Sequence, residues 1–312
     1  MGICKSLLQQ SSQWGWSSTP TWACIVGGLA TLTVFVAVEL RVREPLIDLR
    51  IFAHPGFIAD NAVLFLVCAC FVPLFFFASI YAQVVLGYGA SKVGLYILVL
   101  FAGFATGSQI GGRILDRRGS RPAALYGSAL GATGFALWGT HLDEGLSAQW
   151  YWIVLAGAGI GLSLTPVSTD AVNRAPRGSY GEVTGITQTV RNFASSLGLA
   201  VLGTLLIYEN KRHITASLVH DGVPKQTASR VGALLSSGID AATPPTEEHA
   251  ALLAIVQHDV AASTKVVFLV MAGVMAVSAV VARLWMQRGV PAEVARDLPT
   301  LTAVTEDGAG AL

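Results

Sequence analysis

Seven stretches of this sequence are each apolar over about the twenty residues that a helix needs to cross a hydrocarbon core of roughly 30 Å. They fall at approximately 22–38, 57–81, 93–112, 122–140, 150–168, 182–207 and 264–285. No other property of the chain restricts its fold so sharply. Barrel strands would be shorter and would alternate in polarity, so the segments read as helices. Composition agrees: 53% of the 312 residues are apolar and 12% are charged, about half the charge of an ordinary soluble domain. Mean hydropathy is +0.59. A soluble globule and a disordered tail are excluded, because neither keeps so much apolar surface in water. A net charge of +1 leaves no electrostatic footprint for nucleic acid. The partner this composition demands is a lipid bilayer.

Arginine placement orients the spans. Arg41, Arg43 and Arg50 fall in one connection, Arg113, Arg117, Arg118 and Arg121 in a second, and Arg174 and Arg177 in a third. Arg288 and Arg296 follow the last span. With alternating helices all of these share one side, and the short opposite loops offer Lys92 and the acidic pair Asp143–Glu144. The expected topology therefore places the N-terminus outside and the C-terminus in the cytoplasm of a multi-pass cell-membrane protein. Residues 1–21 form an extracytoplasmic segment, too poor in apolar residues for a secretory signal. Met1-Gly2 with Ser6 fits a myristoylation pattern, but acylation would require a cytoplasmic N-terminus. The long 208–263 connection, with helix-like polar–apolar stretches around 226–237 and 247–258, is expected outside, and 286–312 forms a cytoplasmic tail read as disordered. Cys4, Cys24, Cys68 and Cys70 lack metal-ligand spacing and read as packing residues.

Gly103, Gly107 and Gly111 form a doubled small-xxx-small stripe in the third span. Gly127 and Gly131 repeat it in the fourth, Gly157 and Gly161 in the fifth. Such stripes let backbones approach where no hydrophobic force drives helices together. They suit static packing and sliding helices equally. Pro73 and Pro166 interrupt the second and fifth spans and predict kinks.

Away from the window edges the charges are Asp60 and Arg191. Thr184, Gln188, Arg191 and Ser195 follow helical spacing with Asn192 beside them, and Ile186, Val190, Phe193 and Leu197 lie opposite. An arginine at this depth costs several kcal/mol unless it meets a partner or a watery cavity. Either it clamps to Asp60, Asp170 or a backbone carbonyl, or it lines a substrate path. No carboxylate lies near the middle of a span: Asp60, Asp170 and Glu182 are all toward the arginine-rich side.

The strongest local signal is Gly112-Arg113-Ile114-Leu115-Asp116-Arg117-Arg118-Gly119-Ser120-Arg121, a very short turn between two spans. A pure topology determinant would need its arginines but not an aspartate between glycines. The pattern Gly-x-x-x-Asp-Arg-x-Gly-x-Arg resembles the cytoplasmic signature loop of the major facilitator superfamily. Trp14-Gly15-Trp16, the Glu44–Phe52 stretch Glu-Pro-Leu-Ile-Asp-Leu-Arg-Ile-Phe, and Tyr81-x-Gln83-x-x-Leu86-Gly87-Tyr88 resemble segments of its fourteen-helix drug:proton antiporter branch. Gly185, Thr189, Arg191, Gly198 and Gly203 match that branch's fifth helix of the C-terminal domain.

The resemblance runs from about residue 14 to 285 and implies an all-helical membrane fold of seven transmembrane helices. A linker helix over 22–40 and a cytoplasmic connector over 41–56 would precede a six-helix C-terminal transporter domain over 57–285, built of two inverted three-helix repeats. It implies export of hydrophobic or cationic small molecules with the proton gradient as driving force, and no cofactor or metal. The family's N-terminal half and first linker helix are not matched, so the chain is expected to be incomplete without an N-terminal partner half. The alternative is a fragment that does not transport, or a subunit completed by another chain. On this resemblance Gly112, Asp116, Arg117, Gly119 and Arg121 form a gating loop. Asn61, Phe65, Gln83 and Trp152 contact substrate, and Gln188, Arg191 and Asn192 form a polar network.

Two other classes fit poorly. A seven-helix receptor would need a cysteine pair tying the third span to the next outer loop and a proline in the seventh, and neither is present. Gly161-Leu162-Ser163 could open a nucleophile motif, but no histidine lies in any span to serve as base.

Overall fold

The computed structural model describes residues 19–39, 41, 55–142, 146–174, 180–220 and 247–289. The N-terminal motif around Trp14, the Glu44–Phe52 stretch, the 226–237 part of the long connection and the tail beyond Gly289 lie outside them. Every regular element among the described residues is helical. The chain divides into two compact units, Met1–Arg50 and Ile51–Leu312. The first holds α1 (Thr19–Glu39), a 21-residue apolar helix in which the Thr31 hydroxyl donates to the Gly27 carbonyl at 2.8 Å. The second holds α2 (Pro55–Val84), α3 (Ala90–Arg118), α4 (Ser120–Thr140), α5 (Leu146–Asn173), α6 (Tyr180–His220) and α7 (Glu247–Trp285).

Among the described residues five helices, α2, α3, α5, α6 and α7, are long and apolar enough to cross a bilayer. The other member of the bundle, α4, has its 21 residues diluted by glycine and serine, and packs along α5 and α7. The seven windows thus each hold a helix, but two helices extend well beyond them. The 208–263 connection expected from hydropathy is largely helical at both ends, because α6 continues to His220 and α7 starts at Glu247. Hydropathy marks where a helix leaves lipid, whereas hydrogen bonding decides where it ends. The two extensions are tied together: the Ser217 hydroxyl donates to buried Asp259 at 3.1 Å. Pro73 and Pro166 both lie inside unbroken helices.

The packing of the six helices carries an internal symmetry. The strongly packed pairs are α3·α5, α4·α5, α4·α7, α2·α6, α2·α7, α2·α5, α6·α7, α3·α4, α2·α3 and α5·α6. Exchanging α2 with α5, α3 with α6 and α4 with α7 maps this set onto itself. Contacts also show that successive helices alternate in direction: Ser120 at the start of α4 meets Asp170 at the end of α5, and Tyr96 near the start of α3 meets Gln149 near the start of α5. Three alternating helices per repeat make the second repeat run inverted to the first, the organisation behind many transporters.

Glycine brings α5 into the middle of the bundle. A Cβ built on Gly103, Gly107 or Gly111 of α3 would run into the backbone of Val154, Ala158 or Leu162 on α5. From the other side, Gly157 and Gly161 of α5 meet the backbone of Leu100 and Phe104 on α3. Gly159 meets Gly131 of α4, and Gly198 of α6 meets Ala69 of α2. At such separations only hydrogen fits, so van der Waals contact between backbones holds these pairs.

Buried serines add a polar tie. Ser128 of α4 lies 3.2 Å from the Ser163 hydroxyl of α5 and 3.0 Å from that of Ser278 on α7, and Ser163 also donates to the Ala124 carbonyl. At the far end, Gln149 donates to the Tyr81 hydroxyl at 3.2 Å and to the Leu142 carbonyl at 3.0 Å, and it accepts from Tyr96. Tyr96, Trp138 and Phe268 stack through the core below, the last two with centroids 4.4 Å apart.

Candidate functional site

The glycine–aspartate–arginine signature is more helical than a loop. α3 runs through Asp116, Arg117 and Arg118, and Gly119 alone separates it from α4. The basic pair in the last turn of α3 complements the negative end of its dipole. Gly119 has φ +83°, a conformation other residues rarely adopt, and its N–H donates to the Leu115 carbonyl at 2.9 Å. Its α-carbon sits against the carbonyl of Gly289, beyond α7, leaving no room for a side chain. Arg121 donates through Nη2 to the Arg283 carbonyl at the end of α7. Gly112 faces open space, and Asp116 and Arg117 are exposed at this end of the bundle.

Immediately inside the turn lies a charge cluster that sequence reading did not assemble. Arg174, just past α5, places Nε 2.8 Å from Asp170 and 3.3 Å from Asp60 of α2. Ser120, the first residue of α4, donates to the same Asp170 oxygen. The Arg174 Nη1 donates to Gln287 Oε1 at 2.9 Å, and the Gln287 side chain rests on Gly56. Asp60 and Asp170 are 1% and 0% exposed. One guanidinium thus joins the ends of α2, α4, α5 and α7. The available signal was the Asp170/Arg174 pair at helical i,i+4 spacing. Either carboxylate was a candidate partner of Arg191, but Arg174 takes both.

Arg191 has other neighbours. Its Nη1 donates to Gln188 Oε1 at 3.0 Å, and its guanidinium lies beside the Cys68 thiol of α2. Among the described residues it forms no ion pair. Gln188 and Asn192 are exposed, and the Asn192 carbonyl accepts from Ser196. The apolar residues read as lying opposite do not form a single buried face: Ile186 is buried, whereas Phe193 and Leu197 are 61% and 42% exposed. The buried stripe of α6 is instead Val183, Ile186, Thr187, Ala194, Gly198 and Leu202, with Gly198 against Ala69 of α2. Its small residues let Ser195 donate to the Cys68 carbonyl at 3.2 Å. Gln188, Asn192, Phe193 and Leu197 are exposed on either side of that stripe, with Arg191 and Ser195 part-buried.

Phe65 of α2 packs against Phe193 of α6 with centroids 6.2 Å apart. Further along, Phe71 contacts Phe75 and, from α3, Phe104. The remaining residues singled out as substrate contacts are dispersed. Asn61 is buried and donates to the Phe57 carbonyl of its own helix at 3.0 Å. Gln83 is exposed and donates to Ser79 at 2.9 Å. Twenty-two helical residues separate these two, about 33 Å of rise. Trp152 rests on His141, with ring centroids 5.6 Å apart, at the Gln83 end. The structure therefore joins Gln188 to Arg191 with Asn192 exposed beside them, packs Phe65 on Phe193, and puts Gln83 and Trp152 at the end of the bundle away from Asn61. Ser163 is fully buried within its serine network. Among the described residues no group of three potential ligands could hold a metal ion.

An alternating six-helix bundle with two swapped repeats and a glycine–aspartate–arginine turn between its second and third helices defines a membrane transporter class. A family model described as Major Facilitator Superfamily matches residues 11–199, and the chain belongs to that family. It is a multi-pass membrane protein, and the proteins it is similar to are transporters rather than enzymes. Among similar proteins, the tetracenomycin C resistance and export protein of Streptomyces glaucescens is 27% identical over 302 residues, covering 92% of this chain and 54% of the relative. The cephamycin export protein CmcT of Amycolatopsis lactamdurans is 32% identical over 204 residues, covering 64% and 42% respectively. The multidrug resistance protein Stp of Mycobacterium tuberculosis is 27% identical over 317 residues, covering 95% and 57%. The chain spans about half the length of the curated relatives it matches.

Proposed function

We propose that this chain supplies the C-terminal half of a proton-coupled efflux transporter in the cell membrane, working with an N-terminal half against its α2–α6 side. The observation that carries this reading is the outward face of α6. Gln188, Arg191 and Asn192 present polar groups within a membrane-crossing helix, and Arg191 has no carboxylate partner among the described residues. An arginine facing lipid there would cost on the order of 3 kcal/mol or more, so the face belongs against a second protein body or a wet path. The Phe65–Phe193 contact adds apolar surface along the α2–α6 seam.

The similar proteins' names supply the substrate class: antibiotics and other drugs leaving the cell. A guanidinium beside the path repels cations, so of the hydrophobic and cationic classes this site favours the hydrophobic one, particularly compounds rich in acceptor oxygens. Gly119 and Arg121 anchor the α3–α4 turn, while exposed Asp116 and Arg117 engage the partner half at the cytoplasmic mouth and gate it. In this arrangement the N-terminus lies outside and the C-terminus in the cytoplasm. Coupling to protons rests on the partner half, because Asp60 and Asp170 lie at the cytoplasmic end and are held by Arg174.

The test is Arg191→Leu in the chain paired with an N-terminal half. The variant should insert and accumulate normally but lose drug efflux, whereas Thr204→Val, an exposed residue of the same helix away from its polar face, should retain it. Unchanged efflux from Arg191→Leu would remove Arg191 from the path.

A further inference from the structure

We propose that the basic cleft between the start of α4 and the end of α7 binds the phosphodiester headgroup of an anionic phospholipid. The cleft, about 340 Å³, is lined by Arg118, Arg121, Arg283 and Arg288, with Leu125 and Tyr126 on its α4 side. Three segments distant in sequence bring these arginines together: the last turn of α3, the first turn of α4, and the end of α7 with the residues beyond it. The contact between Gly119 and the Gly289 carbonyl and the Arg121 bond to the Arg283 carbonyl fix that convergence. No carboxylate lines the cleft, and none of the four arginines forms an ion pair among the described residues. Four like charges around one small space repel each other, and a bound anion reverses the sign of that energy. Guanidinium forks match phosphate oxygens in geometry as well as charge, and Arg121 keeps donors beyond the one used on Arg283.

The surroundings select a lipid over a free phosphate. The cleft opens at an end of the bundle where Tyr126 and Trp285 are 60% and 63% exposed, the position of interfacial aromatic residues. From it an exposed ridge of Val277, Val280 and Leu284 runs up α7 at three- and four-residue spacing. Tyr126, Ala129 and Thr133 form the corresponding exposed line on α4. Headgroup charge and acyl chains are thus both accommodated: arginines at the interface, and an apolar track leading toward the membrane interior. The inference is independent of which side of the membrane this end faces and of the transport reading above.

The experiment titrates the purified full chain in neutral detergent with dioleoylphosphatidylglycerol, dioleoylphosphatidylcholine or soluble glycerol 3-phosphate, following bound lipid by native mass spectrometry. Phosphatidylglycerol should be retained and phosphatidylcholine should not, and glycerol 3-phosphate should fail to displace the lipid. The double change Arg283→Gln and Arg288→Gln should weaken phosphatidylglycerol binding on the order of tenfold, and the corresponding double lysine variant should keep most of it. Arg288→Gln alone, past the last turn of α7, gives a several-fold loss without touching a helix. Equal retention of both lipids would overturn the proposal, as would unchanged affinity in the glutamine variants. Tight binding of glycerol 3-phosphate would make the cleft a free-anion site instead.

Discussion

Arg174 Nε lies 2.8 Å from the carboxylate of Asp170, one turn before it at the end of α5. That pair draws in Asp60 of α2 at 3.3 Å, Ser120 of α4 and Gln287 beyond α7. Four helix ends therefore meet on one side chain, directly beneath the turn that carries Asp116.

Removing that side chain should be costly. Arg174→Gln leaves two buried carboxylates without their cation, and breaking a buried ion pair in this way costs about 3–5 kcal/mol. Thermal unfolding in detergent should show a large drop. Adding Asp60→Asn and Asp170→Asn to the same chain should recover a substantial part of it, since all three charges then vanish together. A triple variant no better than Arg174→Gln would show that the cluster acts by shape rather than charge.

The glycine contacts make opposite predictions at two positions. Gly159→Ala drives a methyl into the Gly131 backbone, and overpacking of this kind costs about 1–3 kcal/mol. Gly112→Ala meets open space inside a helix and should be neutral or stabilising by roughly 0.5–1 kcal/mol. Paired melting curves of the two variants check both signs.

How much of this could be read from the chain varies from residue to residue. The helices and the α3 glycine stripe were legible, because lipid imposes length and glycine spacing imposes a face. That Gly103, Gly107 and Gly111 meet Val154, Ala158 and Leu162 was not, since a stripe does not name its partner. Arg191 stood out by depth, yet its ion-pair candidates were taken by Arg174, a residue that looked like a topology signal. Phe193 reads as lying opposite the polar face of α6, and it is exposed, because periodicity identifies a stripe without saying which body covers it. The continuation of α6 to His220 escaped because polar helix continues past the membrane, whereas the polar–apolar pattern over 247–258 does read as the start of α7.

Asp116 separates gating from stability. It is exposed, so Asp116→Asn should change unfolding by no more than about 0.5 kcal/mol. In a transporter paired with an N-terminal half, the same change should lower efflux by about tenfold or more, equivalent to ~1.4 kcal/mol on the rate-limiting step. Efflux equal to the parent would remove Asp116 from the gate.

Ser163 should behave as a structural hydroxyl. Ser163→Ala breaks its bonds to Ser128 and the Ala124 carbonyl and should cost about 1 kcal/mol, with transport retained. A fluorophosphonate probe should leave the parent chain unlabelled, and labelling at Ser163 would contradict this role.

The most direct test of the half-transporter reading is drug accumulation in cells expressing this chain alone, an N-terminal half alone, or both. Efflux that appears only when both are present, and is lost with Arg191→Leu, is the expected result. Energy-dependent efflux from this chain by itself would contradict it.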